Sequence, residues 1–458
     1  MRSTSSKNRT RRAAKPAAAL LAAALALALT GCGGGGNKSS NDGGSSGSSG
    51  SVKLPKLNGQ TLEVAAVWTG AEQDNFMKVM DEFKKRTGAK VNFVPTGNNT
   101  STFLGTKIQG GQPPDVAFLP QVGVLHQFAD KGWLKPLGAD AKAQLEKNFS
   151  KGWGDLGAWK GKQYGVYAKA ANKSLVWYNT KAFEAAGITQ APKTWKDFLS
   201  TAQTLSDAGS PAVSVGGADG WTLTDWFENV YLSQAGPEKY DQLAAHKIKW
   251  TDPSVKDALT TLAQLWGKND LIAGGTKGAL NTEFPKSVTQ TFSGSTPAAM
   301  VFEGDFVAAN INGDTKAKLG TDAKVFPFPA VGSQAPVVSG GDVAVALKDN
   351  KGAQALLTFL ASTDAAEIWA AQGGILSPNK EMDQSKYKDA ITAQIAKQLL
   401  AAGDNFRFDM SDQAPAAFGG TAGIGEWKDL QDFLRNPKDV AGAQQKLEAD
   451  AAKAYAAG

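Results

Sequence analysis

Residues 61–95 read TLEVAAVWTGAEQDNFMKVMDEFKKRTGAKVNFVP, and their pattern decides the fold class. Thr61 to Trp68 is rich in β-formers and predicts a buried strand. Thr69-Gly70-Ala71-Glu72 has the capping-box spacing, with Thr at the N-cap and Glu at N3. Phe76, Val79, Met80 and Phe83 follow at i, i+3, i+4 and i+7, the apolar face of a helix. Gly88 is placed to end that helix as its C′ residue, and Lys90 to Pro95 predicts a second strand. Working outward, residues 110–114, GGQPP, break the chain ahead of a third strand, Asp115 to Leu119. Strand, helix, strand, helix, strand is the α/β pattern of a parallel sheet. Ligands of such sheets bind beyond the carboxyl ends of the strands. Here those ends carry Trp68-Thr69-Gly70 and Pro120-Gln121.

Residues from about 173 to 330 mix helices with short strands, and Thr194 caps a helix opening at Trp195. Val337 to Leu347 predicts a strand region opened by Gly340-Gly341. Ala353 to Ala371 predicts a helix halted by Gly373-Gly374, and a last helix runs from about Val440 to Ala456. There is no internal repeat. The chain has 458 residues, whereas single cores stop growing at about 250–300 residues, so at least two lobes are expected.

The N-terminus reads as an export signal. Arg2, Lys7, Arg9, Arg11, Arg12 and Lys15 precede an apolar run from Ala17 to Leu29. That run fits a signal-peptide h-region and is shorter than the roughly 20 residues of a membrane span. The formal charge of the chain is +6, and residues 1–31 hold six cations and no anion. The remainder is therefore neutral, which removes the electrostatic case for a nucleic-acid partner. Cys32 is the one cysteine and follows Leu29-Thr30-Gly31. The position resembles a bacterial lipobox, with Cys32 as the lipidated first residue of a lipoprotein; the alternative is an incidental cysteine beside an ordinary cleavage site. Residues 33–51, GGGGNKSSNDGGSSGSSGS, form a flexible linker reaching about 25 Å root-mean-square. Arg11-Arg12 suits a twin-arginine route, but Ala13-Ala14 are not the bulky apolar pair of that route, which favours general secretion.

Catalytic and metal motifs are absent. The two histidines, His126 and His246, lie far apart, and His126 beside Leu125 and Phe128 reads as a packed structural residue. No H-E-x-x-H, G-x-S-x-G or G-K-[ST] loop occurs. With one cysteine and two histidines, metal sites built from those residues are excluded, and no cofactor is expected. What remains is aromatic rings beside short polar side chains, the combination that sugar recognition needs. Pyranose C–H faces rest on aromatic rings, and hydroxyls pair with carboxylates and amides. Four clusters qualify: Trp68-Thr69-Gly70, WTLTDWFE from Trp221 to Glu228, FEGDF from Phe302 to Phe306, and RFDMSD from Arg407 to Asp412. Each has a bland alternative. Trp68 can end a buried strand, Glu72 can serve the cap, Trp226 or Phe227 can be helix core, and Glu303 and Asp305 can flank a turn at Gly304.

These residues resemble the carbohydrate-binding extracellular solute-binding proteins of ABC importers (family 1), and among them the α-glucoside-type branch. The resemblance covers nearly all of residues 58–458. It is carried by VWTGAEQDNFMKVMDEFKKRTGAKV, GGQPPDVAFLPQ, YGVYAKAANKSLVWYNTKAF and PKTWKDF. Further along it is carried by TDWFENVYLSQAGPEKYD, SGGDVAVAL, AEIWAAQGGILSPNK and FRFDMSDQAPAAFGG. It implies an α/β, two-lobed periplasmic-binding-protein-like fold (type II), with hinge-linked lobes closing on a central ligand cleft. It also implies crossings near 169–173, 334–339 and 376–380. The expected division is 1–31 signal peptide, 32–57 lipidated cysteine and linker, 58–168 and 335–378 lobe 1, 169–334 and 379–458 lobe 2. Carried over by position, lobe 1 offers Trp68, Thr69, Gln121 and Asp342. Lobe 2 offers Trp221, Asp225, Trp226, Glu303, Arg407, Asp412 and Phe418, with Asn172 near a crossing strand. Trp226 is expected to stack on the sugar. Asn98-Asn99 and the segment AAMVFEGDFV depart from many relatives, which bears on the exact sugar.

The implied protein is a monomer, lipid-anchored on the outer face of the cytoplasmic membrane, that passes a sugar to transmembrane permease subunits. The rival of another class is an extracellular glycoside hydrolase using two of Glu303, Asp305, Asp225 and Asp342, which would have to stand about 5–10 Å apart. A third reading keeps the fold and binds a polyol or other small hydroxylated solute.

Overall fold

A computed structural model describes residues 51–294, 298–402 and 406–457. The strand Thr61–Ala66 pairs in parallel with Lys90–Pro95 on one side and with Val116–Leu119 on the other. The helix Gly70–Thr87 connects the first two and buries Phe76, Val79, Met80 and Phe83. Gly88 ends it at φ 79°, in the left-handed region where glycine carries no Cβ penalty. The expected capping box does not form. Thr69 takes the N-cap position without a side-chain hydrogen bond, and Glu72 turns instead to Lys169 Nζ, 2.8 Å away. A missing cap costs about 1 kcal/mol, whereas stripping a buried ammonium of its carboxylate costs about 3–5 kcal/mol. Lys169 is buried, so it takes the carboxylate.

The sheet continues through Val338–Ala346, whose C-terminal half runs antiparallel to Val116–Leu119. Its other edge pairs antiparallel with Gly165–Asn172, with a register shift at Asp342/Val343. Its first two residues pair in parallel with Arg407-Phe408. A second sheet orders Ala323–Pro327, Leu175–Asn179, Met300–Glu303 and Val213–Ser214. The second strand is antiparallel to both its neighbours, and the last is parallel to the strand beside it.

Both sheets are buried on both faces. Val64, Phe118 and Ala344 point into a cluster with Phe76 and Trp369, while Ala65, Ala117 and Val343 point the other way, toward Leu125 and Phe128. In the second sheet Val176 and Phe302 join Trp226, and Trp177 and Val301 join Phe292 and Ile311. This two-residue alternation between two covered faces explains why the strands read as unbroken apolar runs.

The chain leaves the first sheet where Gly165–Asn172 runs on into Leu175–Asn179. It returns between Pro327 and Val338, and Leu376 later bridges back to Ala170. The helix expected over Ala353–Ala371 is two, Lys351–Leu360 and Thr363–Ala370. Ser362 splits them because its hydroxyl caps the second through Ala365 N, 3.3 Å away. Thr194 caps Trp195–Asp207 and the last helix is Val440–Ala456, as expected. His126 stacks on Trp159 with ring centroids 3.8 Å apart. Among the described residues no helix is long and apolar enough to cross a membrane. The export signal, Cys32 and the linker up to residue 50 lie outside the described residues.

Candidate functional site

The parallel strands of the first sheet end at a cleft of about 420 Å³. Trp68 and Thr69 follow the first strand, Asn98 the second, and Gln121 the third. These are the carboxyl ends where α/β sheets place ligands. The facing wall is aromatic. Trp221, Phe284 and Phe306 form a triangle with ring centroids 5.3, 6.0 and 5.3 Å apart. Trp221 opens the helix Trp221–Ala235 and is preceded by Gly220 at φ 82°. A Cβ on Gly220 would lie 2.8 Å from that of Trp427. The glycine thus lets the chain turn closely past Trp427 and brings Trp221 to the cleft.

Asp219 bridges the two walls. It accepts from the Phe284 amide at 2.7 Å and from Asn98 Nδ2 at 2.9 Å. Burial raises its carboxyl to about 6, with the Phe284 amide opposing that rise. Two lysines form the floor. Lys169 Nζ meets Glu72 at 2.8 Å and Asp342 at 3.4 Å, and Asp342 also accepts from Trp68 Nε1 at 3.2 Å. Gly341 permits this crossing: a Cβ there would stand 2.5 Å from the Lys169 carbonyl. Lys173 Nζ meets Asp225, Asp409 and Asp412 at 3.2, 2.5 and 3.5 Å, and lies over the Trp221 ring at 5.8 Å. Burial alone would neutralise both lysines, but the surrounding carboxylates hold them charged. Burial also pushes Asp412 up. It acts on Asp409 as well, but Lys173 and a Glu228 hydrogen bond hold that carboxyl down at about 2.

Of the expected residues, Trp68, Thr69, Gln121, Trp221, Asp342 and Asp412 line the cleft. Asn172, Asp225 and Glu303 sit one layer behind it. The Asn172 amide donates to Asp305 at 2.7 Å, Asp225 holds Lys173, and Glu303 is fully buried. Three residues lie elsewhere. Trp226 is 1% exposed and packs on Phe302, Phe328 and Trp195, so the expected place of Trp226 in the cleft is corrected: it is a core residue, and the tryptophan of that helix that lines the cleft is Trp221. The reason is helical: five residues turn about 140°, so Trp221 and Trp226 cannot share a face. Phe418 packs against Trp250. Arg407 Nε meets Asp241 at 2.7 Å, away from the cleft. Lys169, Lys173, Asp219, Phe284 and Trp427 line the site without having been singled out. Lys169 did carry a signal that it has partners, since a charge within the buried run GVYAKAAN demands them, but nothing local says which they are. A larger, shallower groove of about 650 Å³ opens on the other side of the second half, around Trp195, Gln234 and Gln264. It is an open surface without the convergent charges of the cleft.

The model of the bacterial extracellular solute-binding protein family matches residues 69–367. The osmoprotective compounds-binding protein GgtB of Synechocystis is 32% identical over 393 residues, 83% of this chain and 91% of that protein. The alpha-glucosides-binding periplasmic protein AglE of Rhizobium meliloti is 31% identical over 407 residues, 85% of this chain and 87% of that protein. A solved structure of the bacterial solute receptor AcbH, described as preferring β-D-galactopyranose, superposes with a TM-score of 0.73. Its identity is 21%, over 86% of this chain and 99% of that one. That likeness carries the α/β periplasmic-binding-protein-like fold.

Proposed function

Because the chain belongs to the bacterial extracellular solute-binding proteins, we propose that it captures a small sugar or sugar-like osmolyte in this cleft and delivers it to an ABC importer. The observation that carries the reading is the aromatic triangle of Trp221, Phe284 and Phe306, with Asp219 beside it, facing Asp342 and Gln121 across one cavity. Rings cover the C–H face of a sugar, and the carboxylates and amide accept from its hydroxyls. The volume falls toward the small end of the roughly 300–1,000 Å³ of small-molecule sites, which suits one or two sugar rings. The two relatives are named for osmoprotective compounds and for alpha-glucosides, which supports a sugar or an osmolyte as the solute. Family membership makes this a binding protein and not an enzyme. Asp225 and Glu303, which a hydrolase would need beside its substrate, are instead sealed behind the cleft.

Two lobes, 58–168 with 335–378 and 169–334 with 379–458, would hinge at the two strand crossings and the Ala170–Leu376 bridge. The Asn98–Asp219 bond spans their mouth and supports a clamp closing on the ligand. Cys32 would carry the lipid that holds the protein at the outer face of the cytoplasmic membrane, as a monomer serving its permease subunits. Replacing Cys32 by Ser is expected to release the protein into the medium; retention at the membrane would place the anchor elsewhere. The function is tested by a thermal-shift screen against trehalose, maltose, sucrose, galactose and sorbitol. A true ligand stabilises by mass action, about 2.7 kcal/mol at a hundredfold excess over Kd. No shift with any of the five would refute the reading.

A further inference from the structure

Among the carboxylate oxygens behind the cleft that have no hydrogen-bond donor are both of Glu303 and Oδ2 of Asp225. Both residues are sealed from solvent. Glu303 ends the strand Met300–Glu303, and Asp225 lies on the helix Trp221–Ala235 packed against it. The neighbouring side chains, Trp226 on the helix and Phe302 on the strand, pack with ring centroids 4.6 Å apart, which brings the two buried carboxyls to act on each other. Two ionised carboxylates so placed would repel in a medium that cannot solvate either, whereas one proton between them satisfies both. The other oxygen of Asp225 is engaged by Lys173 Nζ at 3.2 Å, and Lys173 is the floor lysine lying over the Trp221 ring.

We propose that Glu303 is a positioning residue for ligand binding: it carries a proton, donates it to Asp225 Oδ2, and so keeps Asp225 anionic against Lys173 and Lys173 fixed beneath the ligand. The proposal rests on the cleft being the saccharide site. The surroundings agree with it. Among the described residues Lys173 is the cation facing the pair, while Asp409 and Asp412 approach from the segment after Arg407-Phe408. Glu228 comes from the next turn of the same helix, Glu426 from Gly425–Arg435, and Asp219 from the loop before Trp221. One ammonium cannot balance that many carboxylates, so protons must remain among them. Burial, with the Asp225 charge added, pushes the Glu303 carboxyl far above its usual range.

The consequence is an alkaline limb in the binding profile. While the pair holds its proton, its contribution to affinity is constant. Once the proton leaves, the two charges repel, Asp225 withdraws from Lys173, and affinity falls roughly tenfold, the worth of one charge-assisted hydrogen bond. Two measurements test this. The infrared difference spectrum of the ligand-free protein, wild type minus Glu303→Gln at neutral pH, should show a carboxylic-acid C=O band. Asp225→Asn should retain that band at a shifted frequency, which serves if the first variant folds poorly. Calorimetric Kd is then followed into alkaline pH for whichever saccharide binds. Glu303→Gln, whose amide donates in place of the acid proton, should lack the alkaline limb: its Kd, whatever its neutral-pH value, should stay level where that of wild type rises. Absence of the band overturns the shared proton. An identical alkaline loss in wild type and Glu303→Gln overturns the positioning role. If wild type binds no saccharide, the reading of the cleft fails and takes the positioning role with it, while the band still decides whether the proton is there.

Discussion

Trp221 lines the cleft and Trp226 is packed in the core behind it, so their variants should separate cleanly. A Trp side chain buries about 150–250 Å², and a ligand covers only part of it. Trp221→Ala should therefore cost roughly 2–3 kcal/mol of binding, some 30- to 150-fold in Kd, with the ligand-free melting temperature little changed. Trp226→Ala should cost about 3–5 kcal/mol of folding stability and leave affinity intact in the folded fraction. Calorimetric titration and thermal melting of both variants check this; the opposite pattern would return the stacking role to Trp226. Asp219 gives a pH dependence on the acid side. Its carboxyl in the closed cleft is raised to about 6 by burial, above its usual value. The closed form thus binds protons more tightly, and closure is best supported below the unperturbed value and loses that support as pH rises through the closed-state value. Affinity should fall between about pH 4 and pH 7, by at most about a hundredfold for a shift of roughly two units, and then level off. Affinity that climbed across this window would contradict the burial of Asp219 on closure. Cleft residues were legible in the sequence where they follow a strand, as with Trp68, Thr69 and Gln121. Lys169 and Lys173 were not, because their partners come from segments 97 and 236 residues away, and no local pattern carries such a pairing.

Among the elements, the strand–helix–strand opening was the most readable, since its periodicity, its glycine stop and its flanking β-formers agree. The capping box was misread for a reason of scale: a local bond lost to a distant ammonium. The helix over Ala353–Ala371 was drawn as one because its composition is uniform, and the break rests on one hydroxyl, that of Ser362. The strand Val338–Ala346 is the element on which the site depends most. It pairs with the crossing strand Gly165–Asn172 and shifts register beside Asp342. Gly341→Ala should be felt twice there. Its Cβ would press on the Lys169 carbonyl at 2.5 Å and on the Tyr167 ring at 3.0 Å, and overpacking of that kind costs about 1–3 kcal/mol. The displaced strand would also carry Asp342 away from Lys169 and Trp68. Both the melting temperature and the affinity should drop together, and an unchanged affinity would remove Asp342 from the account.

For the whole molecule, the two sheets are joined where Gly165–Asn172 of the first runs on into Leu175–Asn179 of the second. On the proposed reading the aromatic wall belongs to one lobe and the strand-end polar groups to the other, so neither lobe alone would offer a complete sugar site. Closure follows if the ligand favours the state in which both walls touch it. The most direct measurement is small-angle X-ray scattering of the purified protein with and without saturating ligand. The account predicts a smaller radius of gyration with ligand, and a ligand-bound curve that matches the closed cleft spanned by Asn98 and Asp219. An unchanged radius of gyration, with calorimetry reporting one saturated site, would contradict it.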